Sequence, residues 1–164
     1  MSEDSLYLNI TAPKDAEGLP VMVWFHGGSF AILSANSPQY NNPNGLVTKG
    51  VVQVSVNHRL GPFGYIAHPL LSAESGYGGS GNYGQMDLVM ALEWIRDNIA
   101  AFGGDPGNVT IFGQSGGGGK VYSLMNSPQA VGLFHKEIVQ SGVAPLETDS
   151  TPADSLGVSE AIGE

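Results

Sequence analysis

The stretch Val109-Thr110-Ile111-Phe112-Gly113-Gln114-Ser115-Gly116-Gly117 joins an apolar run to a serine flanked by glycines. Its apolar half predicts a strand over residues 108–113, and the residues after the serine predict a short helix ending near residue 125. Ser115 occupies the centre of a G-x-S-x-G pattern, in which a serine sits on a sharp strand-to-helix turn with its hydroxyl exposed. The pattern predicts Ser115 as a nucleophile for acyl transfer; the alternative is a structural turn serine.

The rest of the chain supplies the elements that would surround this turn. Apolar runs predict further strands over residues 6–10, 20–25, 51–56 and 137–140. Leu88, Leu92, Ile95 and Ile99 recur at helical spacing and predict an amphipathic helix over residues 83–101. Turns are expected at residues 61–62 and 105–107, and a glycine-rich loop over residues 67–84. Strands alternating with helices predict an α/β fold with a mostly parallel sheet, flanking helices and a nucleophile elbow at Ser115.

Composition limits the classes of function. The chain has 164 residues, the size of one domain, with 24 glycines, no cysteine and a net charge of −9. The negative charge argues against nucleic acid or an anionic membrane as partner, and no apolar run is long enough to span a bilayer. The absence of cysteine excludes disulfides and thiolate metal sites but leaves the compartment undecided. The acidic N-terminus predicts no signal peptide.

A second glycine-rich loop follows the strand predicted at residues 20–25. His26-Gly27-Gly28 stands where serine hydrolases place an oxyanion loop, in which glycines let backbone amides face a ligand. The donors predicted for the oxyanion are the N–H groups of Gly28, Ser29 and Gly116. The alternative is an ordinary turn at the end of a strand.

Two other glycine-rich segments partly match nucleotide-binding motifs, but each lacks residues or a neighbouring element that its motif requires. Residues 116–120 end in Lys120 like a phosphate loop, but Gln114 and Val121 occupy positions that the motif reserves for glycine and for serine or threonine. Residues 76–81 satisfy G-x-G-x-x-G without a preceding strand. The sequence also lacks a paired histidine–carboxylate motif for a metal. No cofactor and no metal are therefore predicted.

Nine segments together resemble the type-B carboxylesterase/lipase family, and they follow the family's order between residues 3 and 142. They are Glu3-Asp4-Ser5-Leu6-Tyr7-Leu8-Asn9, Val23-Trp24-Phe25-His26-Gly27-Gly28-Ser29-Phe30, Asn57-His58-Arg59-Leu60-Gly61-Pro62-Phe63-Gly64, Gly81-Asn82-Tyr83-Gly84-Gln85-Met86-Asp87, Ala91-Leu92-Glu93-Trp94-Ile95, Asn98-Ile99, Phe102-Gly103-Gly104-Asp105-Pro106, Val109-Thr110-Ile111-Phe112-Gly113 and Gln140-Ser141-Gly142. The resemblance implies an α/β-hydrolase fold and hydrolysis of small carboxylic esters through a Ser–Glu(or Asp)–His triad. It matches Ser115 to the nucleophile and Gly28, Ser29 and Gly116 to the oxyanion positions.

The chain departs from this family most clearly downstream of Ser115. The resemblance places the triad acid and histidine far along the chain, but only His135 comes after the serine here, in a segment that resembles a non-catalytic one. His26, His58 and His68 are expected to be structural or solvated rather than the base. The sequence thus predicts a single partial α/β-hydrolase domain over residues 1–164, with residues 143–164 loose and the triad acid and histidine missing.

A partial domain raises two further expectations. The incomplete sheet predicts self-association through its apolar edge. The alternative to a serine esterase is a non-catalytic fragment, or a binding protein of the same fold. A Gln at position 114, where many family members have Glu, has no evident consequence for either hypothesis.

Overall fold

The computed structural model describes residues 4–37 and 45–142, so the loose tail predicted over residues 143–164 lies outside the described part. The strands are β1 (Leu8–Thr11), β2 (Leu19–Phe25), β3 (Val52–Val56), β4 (Gly104–Gln114) and β5 (Lys136–Gln140); the α-helices are α1 (Gly61–Tyr65), α2 (Pro69–Glu74), α3 (Tyr83–Asn98) and α4 (Gly116–Met125); and 3-10 turns span Val47–Lys49, Ile99–Phe102 and Pro128–Ala130.

The five strands form one sheet in the order β1-β3-β2-β4-β5. β1 pairs antiparallel with β3, and the other three pairings are parallel. The prediction of a mostly parallel α/β sheet is therefore confirmed. β2 and β4 end side by side, with Phe25 opposite Gly113. The loops that leave these two strands thus start from neighbouring points at one edge of the sheet, as ligand sites in open α/β sheets require.

The core lies between the sheet and helices α3 and α4. Val54 of β3, Leu92 of α3 and Val121 of α4 are fully buried in one apolar cluster. Every residue of β3 is buried, including the polar Gln53 and Ser55 that alternate with its three valines. α3 ends close to its predicted boundary, and the 3-10 turn after it ends at Gly103, whose φ of 79° suits only glycine well.

Three local predictions need correction. The loop predicted over residues 67–84 contains α2, which begins at Pro69 and is capped by His68, because Leu70 N–H donates to His68 Nδ1 at 3.2 Å. The turn predicted at residues 61–62 opens α1, since a proline is well tolerated in the first helical turn. The turn predicted at residues 105–107 lies inside β4 as a bulge, where Gly107 N–H donates to Asp105 Oδ1 at 2.8 Å.

Candidate active site

Ser115 is the single residue between β4 and α4. Its φ of 57° and ψ of −125° lie in a region that non-glycine residues rarely adopt, and such strain concentrates at functional turns. The Ser115 N–H donates to the Gln140 carbonyl of β5 at 2.9 Å, which ties the turn to the adjacent strand. The side chain is partly exposed. The chain therefore turns sharply at the end of the sheet with the serine on the outside.

Glycines on both sides of Ser115 make room for this turn. A Cβ on Gly113 would lie 2.5 Å from the Gly117 carbonyl oxygen, and a Cβ on Gly117 would collide with the Phe25 carbonyl oxygen of β2. These obstacles are backbone atoms, which cannot move aside as a side chain can. The packing of the elbow therefore explains the two outer glycines of the motif.

The loop after β2 has an unusual run of left-handed residues. Gly28, Ser29 and Phe30 have φ of 89°, 52° and 62°, and a Cβ on Gly28 would collide with the Ile32 carbonyl oxygen. The Gly28 carbonyl accepts hydrogen bonds from Ala31 and Ile32 at 3.0 and 3.1 Å. These two bonds close the turn on the carbonyl of Gly28.

This loop and the elbow are in contact. A Cβ on Gly27 would lie 3.4 Å from Ser115 Cβ, and a Cβ on Gly116 would lie 3.0 Å from the Ser29 nitrogen. Within residues 4–37 and 45–142, the amides of Gly28, Ser29 and Gly116 donate to no protein acceptor. The structure therefore brings all four residues predicted for the site to one place. It leaves three backbone donors there without an internal partner.

None of the four histidines hydrogen-bonds to the Ser115 hydroxyl in the described part of the chain. His68 caps α2, and His135 Nδ1 accepts from Val109 N–H at 3.1 Å. His26 and His58 are buried and stacked, with ring centres 4.6 Å apart. Burial, with the charge on Lys120 as a smaller second cause, lowers the pKa of His26 to about 4 and that of His58 to about 2.

This neutral pair makes stability sensitive to acid. In the unfolded chain both rings bind a proton near the ordinary pKa of 6.5, but in the folded chain His26 and His58 resist it. The stability that they contribute is therefore present above pH 6.5 and is lost as the pH falls towards 4. Each ring adds a slope of about 1.4 kcal/mol per pH unit in that window.

We expect His58→Leu to reduce this slope by about half, whatever it does to stability at pH 7. Urea unfolding measured between pH 4.5 and 7.5 for the parent and the variant checks this result. An identical slope in the two proteins would contradict it.

Two groups that support the site were not predicted from the sequence. Arg59 and Asp87 form a paired contact, with Arg59 Nη2 2.6 Å from Asp87 Oδ1, which fastens the loop after β3 to α3. Lys120 is wholly buried in α4. Its burial could have been predicted from its place on the inward face of the predicted helix. The glycines before it were instead compared only with a phosphate loop.

The described residues offer neither a membrane span nor a metal cluster. None of the helices within residues 4–37 and 45–142 is long and apolar enough to cross a membrane. The same residues contain no group of three or more histidine, aspartate or glutamate side chains that could hold a metal ion.

Comparison with known proteins identifies esterases as relatives of this chain. The chain is 46 % identical to fumonisin B1 esterase of Sphingopyxis macrogoltabida, over 99 % of this chain and 29 % of that protein. It is 42 % identical to para-nitrobenzyl esterase of Bacillus subtilis, over 97 % of this chain and 33 % of that protein. The chain thus spans about a third of the length of the curated relatives it matches.

Solved structures agree with this result. A carboxylesterase of Geobacillus stearothermophilus superposes with a TM-score of 0.86 at 42 % identity, covering 99 % of this chain and 33 % of that one. This similarity confirms the α/β-hydrolase fold. The sequence model of the carboxylesterase family matches residues 1–163. With its sheet, its elbow and its relatives all in agreement, the chain belongs to the carboxylesterase family.

Proposed function

We propose that this segment carries the nucleophile and the oxyanion hole of a serine esterase. The observation that carries the proposal is the contact between the Ser115 turn and a loop with unpartnered amides at Gly28 and Ser29. Such donors stabilise the negative oxygen that develops in acyl transfer, and each is worth about 3–4 kcal/mol in related hydrolases. The relatives support carboxylic esters as the class of substrate.

The proposed reaction has two steps. Ser115 Oγ bonds to the ester carbonyl carbon while a base takes its proton, and the amides of Gly28, Ser29 and Gly116 hold the oxyanion. Collapse of this intermediate breaks the bond to the alcohol, which leaves with the proton. Water then attacks the acyl-enzyme in the same geometry and releases the acid and Ser115. No cofactor or metal enters the proposal.

The base and its acid partner are proposed to come from outside residues 1–164. His26 and His58 face the core, and His68 and His135 already accept hydrogen bonds from backbone amides. Among the described residues, none of the four forms a hydrogen bond with Ser115. A serine without a base stays protonated and weakly nucleophilic at neutral pH.

We therefore expect the 164-residue chain alone to be a poor esterase. Oxyanion binding without a triad still gives on the order of 10³–10⁴-fold over water, so slow turnover of an activated ester is expected. Hydrolysis of para-nitrophenyl acetate by the purified chain, beside Ser115→Ala, measures it. Turnover of many per second that is lost in Ser115→Ala would contradict the proposal and require a base within the chain.

The same preparation tests self-association through the sheet. β5 borders only β4 among the described strands, and Ile138 at its centre is 42 % exposed. We propose that this open edge pairs with a second copy of the chain. Sedimentation should show a mass that rises with concentration and falls in Ile138→Lys; a monomer at every concentration would contradict it.

The contribution of one oxyanion donor can be isolated at Gly116. Gly28 is unsuitable because its φ of 89° excludes proline, so Gly28→Pro would disturb the whole loop. Gly116 is the first residue of α4, where proline is tolerated. Gly116→Pro removes the amide donor, and Gly116→Ala keeps it while adding the same Cβ beside Ser29.

In active protein that contains this segment, we expect Gly116→Pro to lower kcat about 10²–10³-fold relative to Gly116→Ala, with a much smaller change in KM. The reason is that the donor acts mainly on the oxyanion of the transition state. Steady-state kinetics of the two variants check this. Equal kcat values would show that the Gly116 amide is not a donor.

A further inference from the structure

Lys120 is an isolated cation in the core of the protein. Its side chain is 0 % exposed, and lysines are almost never fully buried unless they are paired. Its Nζ donates to the His26 carbonyl at 2.9 Å. Within the described residues it forms no salt bridge with a carboxylate. One carbonyl bond is little compensation for burying an ammonium group.

The contacts of Lys120 point to the loop that carries two of the proposed donors. His26 begins that loop, directly before Gly27, and Phe30 ends it. Lys120 Nζ bonds the His26 carbonyl and lies 4.9 Å from the centre of the Phe30 ring, in a cation–π arrangement. One amine therefore contacts both ends of the segment that includes Gly28 and Ser29.

The backbone of Lys120 belongs to the other half of the site. It lies in the second turn of α4, the helix whose first residue is Gly116. Gly119 beside it lies against the Phe30 ring, since a Cβ there would be 3.5 Å from Phe30 Cζ, an ordinary contact distance. The Gln85 side chain of α3 donates to the Lys120 carbonyl at 3.3 Å and so connects this turn of α4 to α3. Lys120 thus links the helix that supplies one donor to the loop that supplies two.

We propose that Lys120 is a positioning residue of the oxyanion hole, which fixes the loop of Gly28 and Ser29 relative to Gly116 through its bonds to His26 and Phe30. This inference rests on the serine esterase proposed above and adds a residue to it. Hydrogen-bond donors must be placed to a fraction of an ångström to act on a transition state, and a 1 Å error can cost about 100-fold in rate.

Burial lowers the pKa of Lys120 to about 8, so the amine still carries its proton at neutral pH. An apolar side chain of similar length would fill the same space without the free-energy cost of burying a charge. A positioning role therefore predicts a separation of effects. Removing the amine should lower kcat and leave stability equal or higher, whereas replacing a lysine that only stabilises the core should lower stability.

The experiment uses Lys120→Met in active protein that contains residues 1–164, with Val121→Ala as control. Methionine keeps the length and apolar stem of lysine and removes the donor. Val121 is the next residue of α4 and is fully buried, but it belongs to the apolar core. The measurements are kcat and KM for a para-nitrophenyl ester, the thermal midpoint, and inhibition by an alkyl trifluoromethyl ketone, which forms an oxyanion on the serine.

For Lys120→Met we expect kcat to fall about 10- to 100-fold with KM changed less than threefold. The affinity for the trifluoromethyl ketone should fall by a similar factor, and the thermal midpoint should stay equal or rise. Val121→Ala should lower the midpoint and keep kcat. Lys120→Arg, which retains a charged donor, should recover part of the loss in kcat.

Either of two outcomes overturns the inference. One is a Lys120→Met variant with kcat within twofold of the parent; the other is a loss of kcat accompanied by a fall in the midpoint, which would show that the amine supports the fold rather than the oxyanion loop alone. A Ser115→Ala variant assayed in parallel separates this failure from that of the proposed function. If Ser115→Ala remains active, the esterase proposal itself is wrong.

Discussion

Replacing Ser115 by alanine should reduce kcat by about 10⁶-fold in active protein that contains this segment, which is the loss found when the catalytic serine is removed from a triad. The substitution deletes only the hydroxyl oxygen. Because Ser115 precedes the helix without a side-chain capping bond, stability should change little. The oxyanion donors should survive and supply the residual activity.

Covalent labelling provides the second readout for Ser115. A fluorophosphonate should label the parent protein once and leave Ser115→Ala unlabelled, because phosphylating reagents trap activated serines. Ser123→Ala is the matched control, since Ser123 is an exposed serine of the same helix. It should keep both activity and labelling. Unchanged labelling in Ser115→Ala would remove Ser115 from the mechanism.

Adding one methyl group at Gly117 should cost at least about 3 kcal/mol of folding free energy, at the upper end of what overpacking causes. The Cβ of Gly117→Ala would collide with the Phe25 carbonyl oxygen at the end of β2. That oxygen belongs to the strand beside β4, so relief requires α4 to move away from the sheet. Such a movement would also displace Ser115 and Gly116.

Gly119→Ala is the matched control for this prediction. It adds the same methyl group to the same helix, but its nearest neighbours lie 3.5 Å away, which is ordinary contact. There alanine should gain up to about 1 kcal/mol from its better helix propensity. Chemical denaturation of the two variants gives the comparison. A Gly117→Ala variant as stable as Gly119→Ala would show that the elbow is not packed this tightly.

The sequence predicts part of the reason why the loop after β2 and the Ser115 turn lie close together. Apolar runs predicted β2 and β4, and a parallel sheet brings the ends of its strands to one edge. The order in which strands pair was not predictable, because register depends on contacts between distant residues. The short helices α1 and α2 were missed because each is a single turn or little more, in which an initial proline and a cap outweigh periodicity.

The sequence by itself determined the elbow, because its glycine–serine motif is typical of a strand that turns sharply into a helix. It also determined the candidate donors through the glycines after β2. Only the tertiary structure decided what lies beneath that loop: His26 stacked on His58, and Lys120 bonded to the His26 carbonyl. These three residues are separated by up to 94 positions along the chain. Their contacts arise because sheet and helix packing brings distant residues together, and no local pattern records that packing.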